Sequence, residues 1–154
     1  MTITVEERSD IISLVIGMWN AAPGAEDLAE LEARFWEFVS GDFPDLAHES
    51  LDRKFLFSAN EDSKFIGGIS GSVYWDGLEI DVLWVSDEHR RKGIATRLLQ
   101  EAETYARENG AVIAFLKTVG ATAFYQSRGY RVYGELEDRP IGSVLYHMKK
   151  RLDV

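Results

Sequence analysis

The stretch Val85-Ser86-Asp87-Glu88-His89-Arg90-Arg91-Lys92-Gly93-Ile94-Ala95 joins two kinds of sequence. Before it, Leu78 to Val85 is rich in β-branched and bulky apolar residues, the composition of a strand. After it, Ile94, Leu98, Ala102 and Tyr105 share one helical face, and the pattern predicts a helix over residues 91–109 with Gly110 as its stop. The junction suits an anion. The first amides of a helix have no internal partner, and the helix dipole adds partial positive charge there. Gly93 lets a phosphate approach the backbone, and the small Ala95 keeps the next position open. Arg90, Arg91, Lys92 and Arg97 place four positive charges within eight residues of a chain whose net charge is −9. That concentration is what a pyrophosphate site needs; a solvated basic helix end is the plainer alternative.

Working outward, Thr2-Ile3-Thr4-Val5 alternates like a short strand. Ser9 and Asp10 are placed to cap a helix through Trp19, broken at Pro23-Gly24. A second helix follows, with Leu28, Leu31, Phe35 and Phe38 on one face, ending by Gly41 to Pro44. Asp45 to Leu51 is a third short helix or a loop. From residue 53 the period becomes extended: Lys54 to Ala59, Phe65 to Trp75 and Leu78 to Val85 read as an antiparallel meander, with a polar turn at Asn60 to Ser63 and a tight one at Asp76-Gly77. Downstream of the long helix come a strand (Ala111 to Leu116), a short helix (Ala121 to Ser127) and two strands (Tyr130 to Leu136 and Val144 to Lys150). The order of elements predicts a single mixed α/β (α+β) domain spanning residues 1–154.

Composition narrows the function classes. With 154 residues, 45% of them hydrophobic, the chain fits one domain with a sizeable core. It has no cysteine, which excludes disulfides and thiolate chemistry and fits a reducing cytoplasm. No apolar run reaches the length of a membrane span, so no membrane partner is expected. Residues 1–52 carry a net charge of −10 and residues 53–154 a net charge of +1. The acidic first third argues against nucleic-acid binding and suits a cationic amine or a basic protein; it also suits plain solubility. No His/Asp/Glu cluster has metal-ligand spacing, so no metal is expected.

Val85-x-x-x-x-Arg90-x-x-Gly93-x-Ala95 resembles the acetyl-coenzyme A signature of the GNAT superfamily of N-acetyltransferases. A second motif lies about thirty residues on: Ala121-Thr122-Ala123-Phe124-Tyr125-Gln126-Ser127-Arg128-Gly129-Tyr130 is similar to the family's Ala-x-x-Phe-Tyr-x-x-x-Gly-Phe/Tyr. The resemblance covers roughly residues 1–150. It implies a mixed, mostly antiparallel sheet of about six to seven strands flanked by about four helices. It implies acetyl-CoA as the acetyl donor, its pyrophosphate on the backbone from Arg91 through Gly93, Ile94 and Ala95 to Thr96, with Arg90 and Lys92 beside it. Leu83, Trp84 and Val85 would line the pantetheine arm, one of their amides polarising the thioester carbonyl. That arm would enter where two strands splay, the one ending at Val85 and Ala111 to Leu116. Thr118, Ala121, Phe124 and Tyr125 would complete the cofactor side, although many relatives carry Asn where Thr118 aligns. A homodimer is common in the family, and Val144 to Arg151 is a candidate pairing edge.

Direct transfer to an amine needs a base for the amine proton and an acid for the leaving thiolate. Tyr125 matches the tyrosine that often serves as the acid, and its alternative is a packing role. Glu79 and Asp81 are carboxylates in an otherwise apolar strand, where an unpaired charge is costly. Two residues apart, they are expected on one face with Ile80 and Val82 on the other. Glu79 sits where several family members carry a catalytic glutamate, acting directly or through water. Both carboxylates also fit a solvent-facing or ion-paired role. His48, His89 and His147 are weaker candidates, with no partner evident in the sequence. Trp19, Trp36, Tyr74 and Trp75 either wall an acceptor cleft or belong to the core. The leading expectation is an N-acetyltransferase acting on a primary amine, of a small cationic molecule or of a peptide. Its rivals are a non-catalytic acyl-CoA-binding domain and a different phosphate-binding protein.

Overall fold

The computed structural model describes residues 2–6, 25–42 and 53–154. The helix expected from Ser9 to Trp19, the segment Asp45 to Leu51, and with them Trp19 and His48, lie outside the described residues. The chain divides into two units, Arg8–Leu51 and Met1–Glu7 with Asp52–Val154. In the first, helix α1 (Ala25–Asp42) forms where the three- and four-residue apolar spacing predicts it. Arg34 bridges Glu30 (2.8 Å) and Glu37 (3.3 Å) one turn to either side.

The second unit is built on one seven-stranded sheet in the order β1-β2-β3-β4-β5-β7-β6. The strands are β1 (Thr2–Glu6), β2 (Arg53–Glu61), β3 (Lys64–Tyr74), β4 (Gly77–Val85), β5 (Ile113–Thr118), β6 (Arg131–Glu137) and β7 (Val144–Arg151). Every neighbouring pair is antiparallel except β4 and β5, which run parallel because helix α2 (Ile94–Glu108) connects them as a crossover. A short helix α3 (Thr122–Ser127) follows β5. This is the mixed, mostly antiparallel architecture expected, with three α-helices among the described residues.

Three expectations shift. The β3–β4 turn sits one residue early: Trp75 and Asp76 take the left-handed conformation (φ 46° and 60°), and Gly77 is already in the strand. A Cβ at Gly77 would press on the Phe115 ring at 3.2 Å, so the glycine is needed for packing between strands rather than for the turn. Helix α2 begins at Ile94, not residue 91, because Arg91 (φ 61°) and Gly93 (φ 78°) are both left-handed and cannot belong to a right-handed helix. And β7, expected as a free pairing edge, lies inside the sheet between β5 and β6.

The core fills the space between α2 and one face of the sheet. Leu98, Leu99, Ala102 and Ala106 of the helix pack with Phe55, Phe57, Ile69, Leu78, Ile80, Ala114, Leu116 and Met148. Tyr105 completes that face against Phe55 and Phe57, ring centroids 5.5 and 5.8 Å away. Buried apolar side chains at this density supply most of the unit's stability, about 1.5–3 kcal/mol for each large one.

Candidate active site

The site is made by a fault in β4. Ser70 of β3 pairs with Val82 and Gly71 pairs with Ile80, so Asp81 is an extra residue, a β-bulge. Gly71 permits it, since a Cβ there would run into the Glu79 carbonyl oxygen. Two consequences follow from this bulge. First, the alternation of faces is reset. Leu78 and Ile80 are buried against α2, and after the bulge Leu83 and Val85 take that face, leaving Val82 and Trp84 exposed on the other. The expectation that Val82 shares the Ile80 face is therefore corrected: strict alternation holds only in an unbroken strand. Second, β4 parts from β5. Their pairing covers only Gly77↔Ile113 through Ile80↔Leu116, and residues 82–85 pair with β3 alone. The splay expected for a pantetheine arm thus opens at Asp81, with Leu83, Trp84 and Val85 on one wall and the Lys117–Thr118 end of β5 on the other.

Glu79 and Asp81 meet at this opening. The Tyr74 hydroxyl donates to Glu79 Oε2 at 2.7 Å, and the Tyr74 ring packs edge-on against Phe115 (6.4 Å) and Trp75 (5.8 Å). Tyr74, expected with Trp75 as a cleft wall or core, therefore also orients a carboxylate. Burial, then the Glu79 charge, pushes the Asp81 carboxyl above its ordinary pKa, against the opposing pull of Lys54 and Lys117. Those lysines were invisible to sequence reasoning, because only the strand order brings them to Asp81.

The turn after β4 is stapled. Ser86 N–H donates to the Ile66 carbonyl (2.8 Å), and a 3₁₀ turn runs over Asp87–His89. The His89 ring lies between Ser86 Oγ and Glu61 Oε2, 2.7 Å from each. His89 is thus a clamp on the β2–β3 hairpin, and its partner Glu61 was missed. Arg90 is exposed but engaged: Nε donates to the Val85 carbonyl (3.1 Å) and a terminal nitrogen pairs with Asp87 (3.0 Å). Arg91, Lys92 and Arg97 remain exposed around the helix start. The first intrahelical bond runs from Arg97 N–H to the Gly93 carbonyl (3.0 Å), so the amides of Ile94, Ala95 and Thr96 precede it. A Cβ at Gly93 would meet nothing within 4 Å. Open space over a left-handed glycine, facing unsatisfied amides and three cations, fits a pyrophosphate.

On the far wall, Thr118 ends β5 opposite Tyr146, and Ala121 precedes α3 with its carbonyl accepting from Tyr125 N–H (3.2 Å). Tyr125 is buried between Phe124 (5.1 Å) and Tyr130 (5.7 Å), and burial raises its phenol pKa. Among the described residues none hydrogen-bonds its hydroxyl, which also reaches solvent. His147 packs edge-on against Tyr133 at 5.9 Å. Trp36 belongs to α1, its ring against Phe35. Among the described residues no group of three metal-ligating side chains converges, and no helix is long and apolar enough to cross a membrane.

The site thus combines a bulged strand that parts from a parallel neighbour with an amide-lined turn into a helix, an arrangement with room for a phosphate-bearing arm. Residues 25–130 match the profile of the acetyltransferase (GNAT) family, and the chain belongs to that family of acetyl-CoA-dependent acetyltransferases. It is 34% identical to the blasticidin-S acetyltransferase of Streptomyces morookaense over 99 residues, 62% of this chain and 73% of that protein. A crystal structure of an acetyltransferase from Bacillus cereus is 31% identical, superposes with a TM-score of 0.62, and is covered to 89% by 75% of this chain. An aminoglycoside 6'-N-acetyltransferase solved with coenzyme A is 15% identical and shares the fold over 97% of both chains, with a TM-score of 0.60.

Proposed function

We propose that this chain, as one acetyltransferase domain, transfers the acetyl group of acetyl-CoA to a primary amine of a small molecule whose reacting end is cationic. The observation that carries this reading is the pair Tyr74–Glu79 at the parting of β4 and β5. A carboxylate fixed by one donor keeps acceptor capacity for an ammonium. The acidic first third of the chain favours such a cation, and the Streptomyces relative, a blasticidin-S acetyltransferase, supports a small-molecule acceptor.

Acetyl-CoA, when bound, supplies an acetyl group as a thioester. The amides of Arg91 to Thr96, with Arg91 and Lys92, would hold its pyrophosphate; Leu83 to Val85, Thr118, Ala121 and Phe124 would flank its arm. The bound ammonium first gives one proton through Glu79 to solvent, which frees its lone pair; Glu79 then takes a second as nitrogen bonds to the acetyl carbon, directly or through water, with Asp81 beside it. Tyr125 gives its proton to sulfur as the carbon–sulfur bond breaks. Burial keeps that phenol protonated at neutral pH, above its usual value of about 10. The test is turnover of a panel of primary amines by the wild type, Glu79→Gln and Tyr125→Phe. Each substitution is expected to lower kcat by about 10²–10³, with coenzyme A affinity unchanged. Unaltered kcat in both would overturn the assignment of roles. A homodimer, if it forms through a sheet edge, would use β6 rather than β7, and light scattering reads it directly.

A further inference from the structure

The face of the sheet that carries Glu79 continues past the opening into a cleft of about 890 Å³. Lys117 of β5 and His147 of β7 are register partners on its floor. Leu136 and Leu145, paired across β6 and β7, form an apolar wall. The β6–β7 loop closes one side with Arg139 and Ile141, an isoleucine that is 91% exposed. Cation and carboxylate are divided unevenly here. Asp138, the one acidic lining residue among the described residues, accepts from Gly142 N–H at 3.1 Å and so serves its own turn. Among the described residues, no hydrogen bond or ion pair engages Lys117 or Arg139. Lys117 adjoins Asp81, so the cleft starts beside the acid pair.

The charge order along this face is therefore carboxylates on β4, Lys117 beside them on β5, then the apolar Leu145 and Leu136, with Arg139 beyond. We propose that the cleft receives the far end of the acceptor, and that this end carries a carboxylate held by Lys117 and Arg139. The acceptor class is then an amino acid in the broad sense: a primary amine and a carboxylate on one molecule with an apolar middle. This rests on the amine-acetyltransferase reading above and adds the second anchor.

The experiment uses matched probes: 4-aminobutanoic acid, 6-aminohexanoic acid and 4-(aminomethyl)benzoic acid, each against its carboxamide. Separating the two groups keeps the amine pKa nearly constant within a pair. Binding to the coenzyme A complex is measured by calorimetry, and acetyl transfer by kcat/KM, for the wild type and for Lys117→Gln/Arg139→Gln. A charge-assisted contact predicts at least about a tenfold preference for the acid in the wild type. That preference falls below about threefold in the double variant, measured at saturating coenzyme A. Equal binding of acid and amide, or a preference the double variant retains, overturns the proposal. Preference in binding without transfer keeps the subsite and retires the proposed function; transfer to acid and amide alike keeps the function and retires the subsite.

Discussion

Two tyrosine–glutamate pairs sit on opposite sides of the same sheet, and they are built for different ends. On the α2 side, Glu103 is 4% exposed. It accepts from the Tyr130 hydroxyl (3.0 Å) and from Lys150 Nζ on both oxygens (3.0 and 2.9 Å), with Arg107 at 3.8 Å. On the other side, Glu79 is half-buried and has the Tyr74 hydroxyl. Burial and the Glu103 charge push the Tyr130 phenol far above its ordinary range. A carboxylate with both oxygens engaged by charge and hydroxyl has little left to offer a ligand; it rivets α2 to β7 and to the start of β6. A carboxylate held at one oxygen, beside a second carboxylate and at the mouth of a splay, retains capacity for a ligand. With the roles proposed above, chemistry and stability are separated across one sheet.

The largest expected effect breaks the first pair. Glu103→Gln leaves Lys150 facing a neutral amide in a buried site, and the loss of a buried ion pair costs about 3–5 kcal/mol. Urea unfolding should show that loss, while kcat of the folded protein stays within about twofold. A comparable loss of kcat would mean the two sides are coupled. Next comes the bulge that separates them. Gly71→Ala places a Cβ against the Glu79 carbonyl, and overpacking of this kind costs about 1–3 kcal/mol. The strain falls on the residues that open β4 from β5, so kcat/KM should drop by at least about tenfold even at temperatures where the variant is fully folded. Retained activity would show that the splay does not depend on the bulge.

Much of this layout was legible in the sequence, for physical reasons that also explain the gaps. The seven strands and the helices at 25–42 and 94–108 announce themselves by period, and the turn at Gly93 by charge and glycine together. Local patterns stop where non-local pairing begins. Nothing near Val82 marks the reset of faces, since the cause lies on β3 at Gly71. Nothing near Asp81 names Lys117, which a crossover of about thirty residues brings alongside. Arg90 reads as one of four phosphate-seeking cations until the turn closes and its guanidinium is used on Val85 and Asp87. Val144 to Arg151 reads as an edge because it comes last in the chain, yet β7 inserts between β5 and β6.

The smaller effects sharpen the catalytic side of the comparison. Tyr74→Phe removes the donor that orients Glu79, a hydrogen bond of about 1.5–3 kcal/mol to a charged group. Steady-state kinetics at saturating acetyl-CoA should show kcat down about fivefold to tenfold. An unchanged kcat would mean that Glu79 works without this positioning.

Asp81→Asn should act in the opposite direction on stability. The folded protein holds the Asp81 carboxyl above its ordinary value, so the folded state binds the proton more tightly than the unfolded chain does. Its contribution is therefore fully present below the unfolded pKa of about 3.9 and is lost as pH rises through the folded one. At neutral pH the ionised group opposes folding, chiefly through partial burial and then through Glu79. Replacing it with a neutral isostere should raise Tm slightly at pH 7 and leave it unchanged near pH 3, where both carboxyls are protonated. Glu103→Gln contrasts with it at neutral pH by destabilising the protein. If Asp81→Asn lowers Tm at pH 7 instead, the attraction of Lys54 and Lys117 outweighs burial, and Asp81 belongs with Glu103 among the rivets rather than with Glu79 at the site.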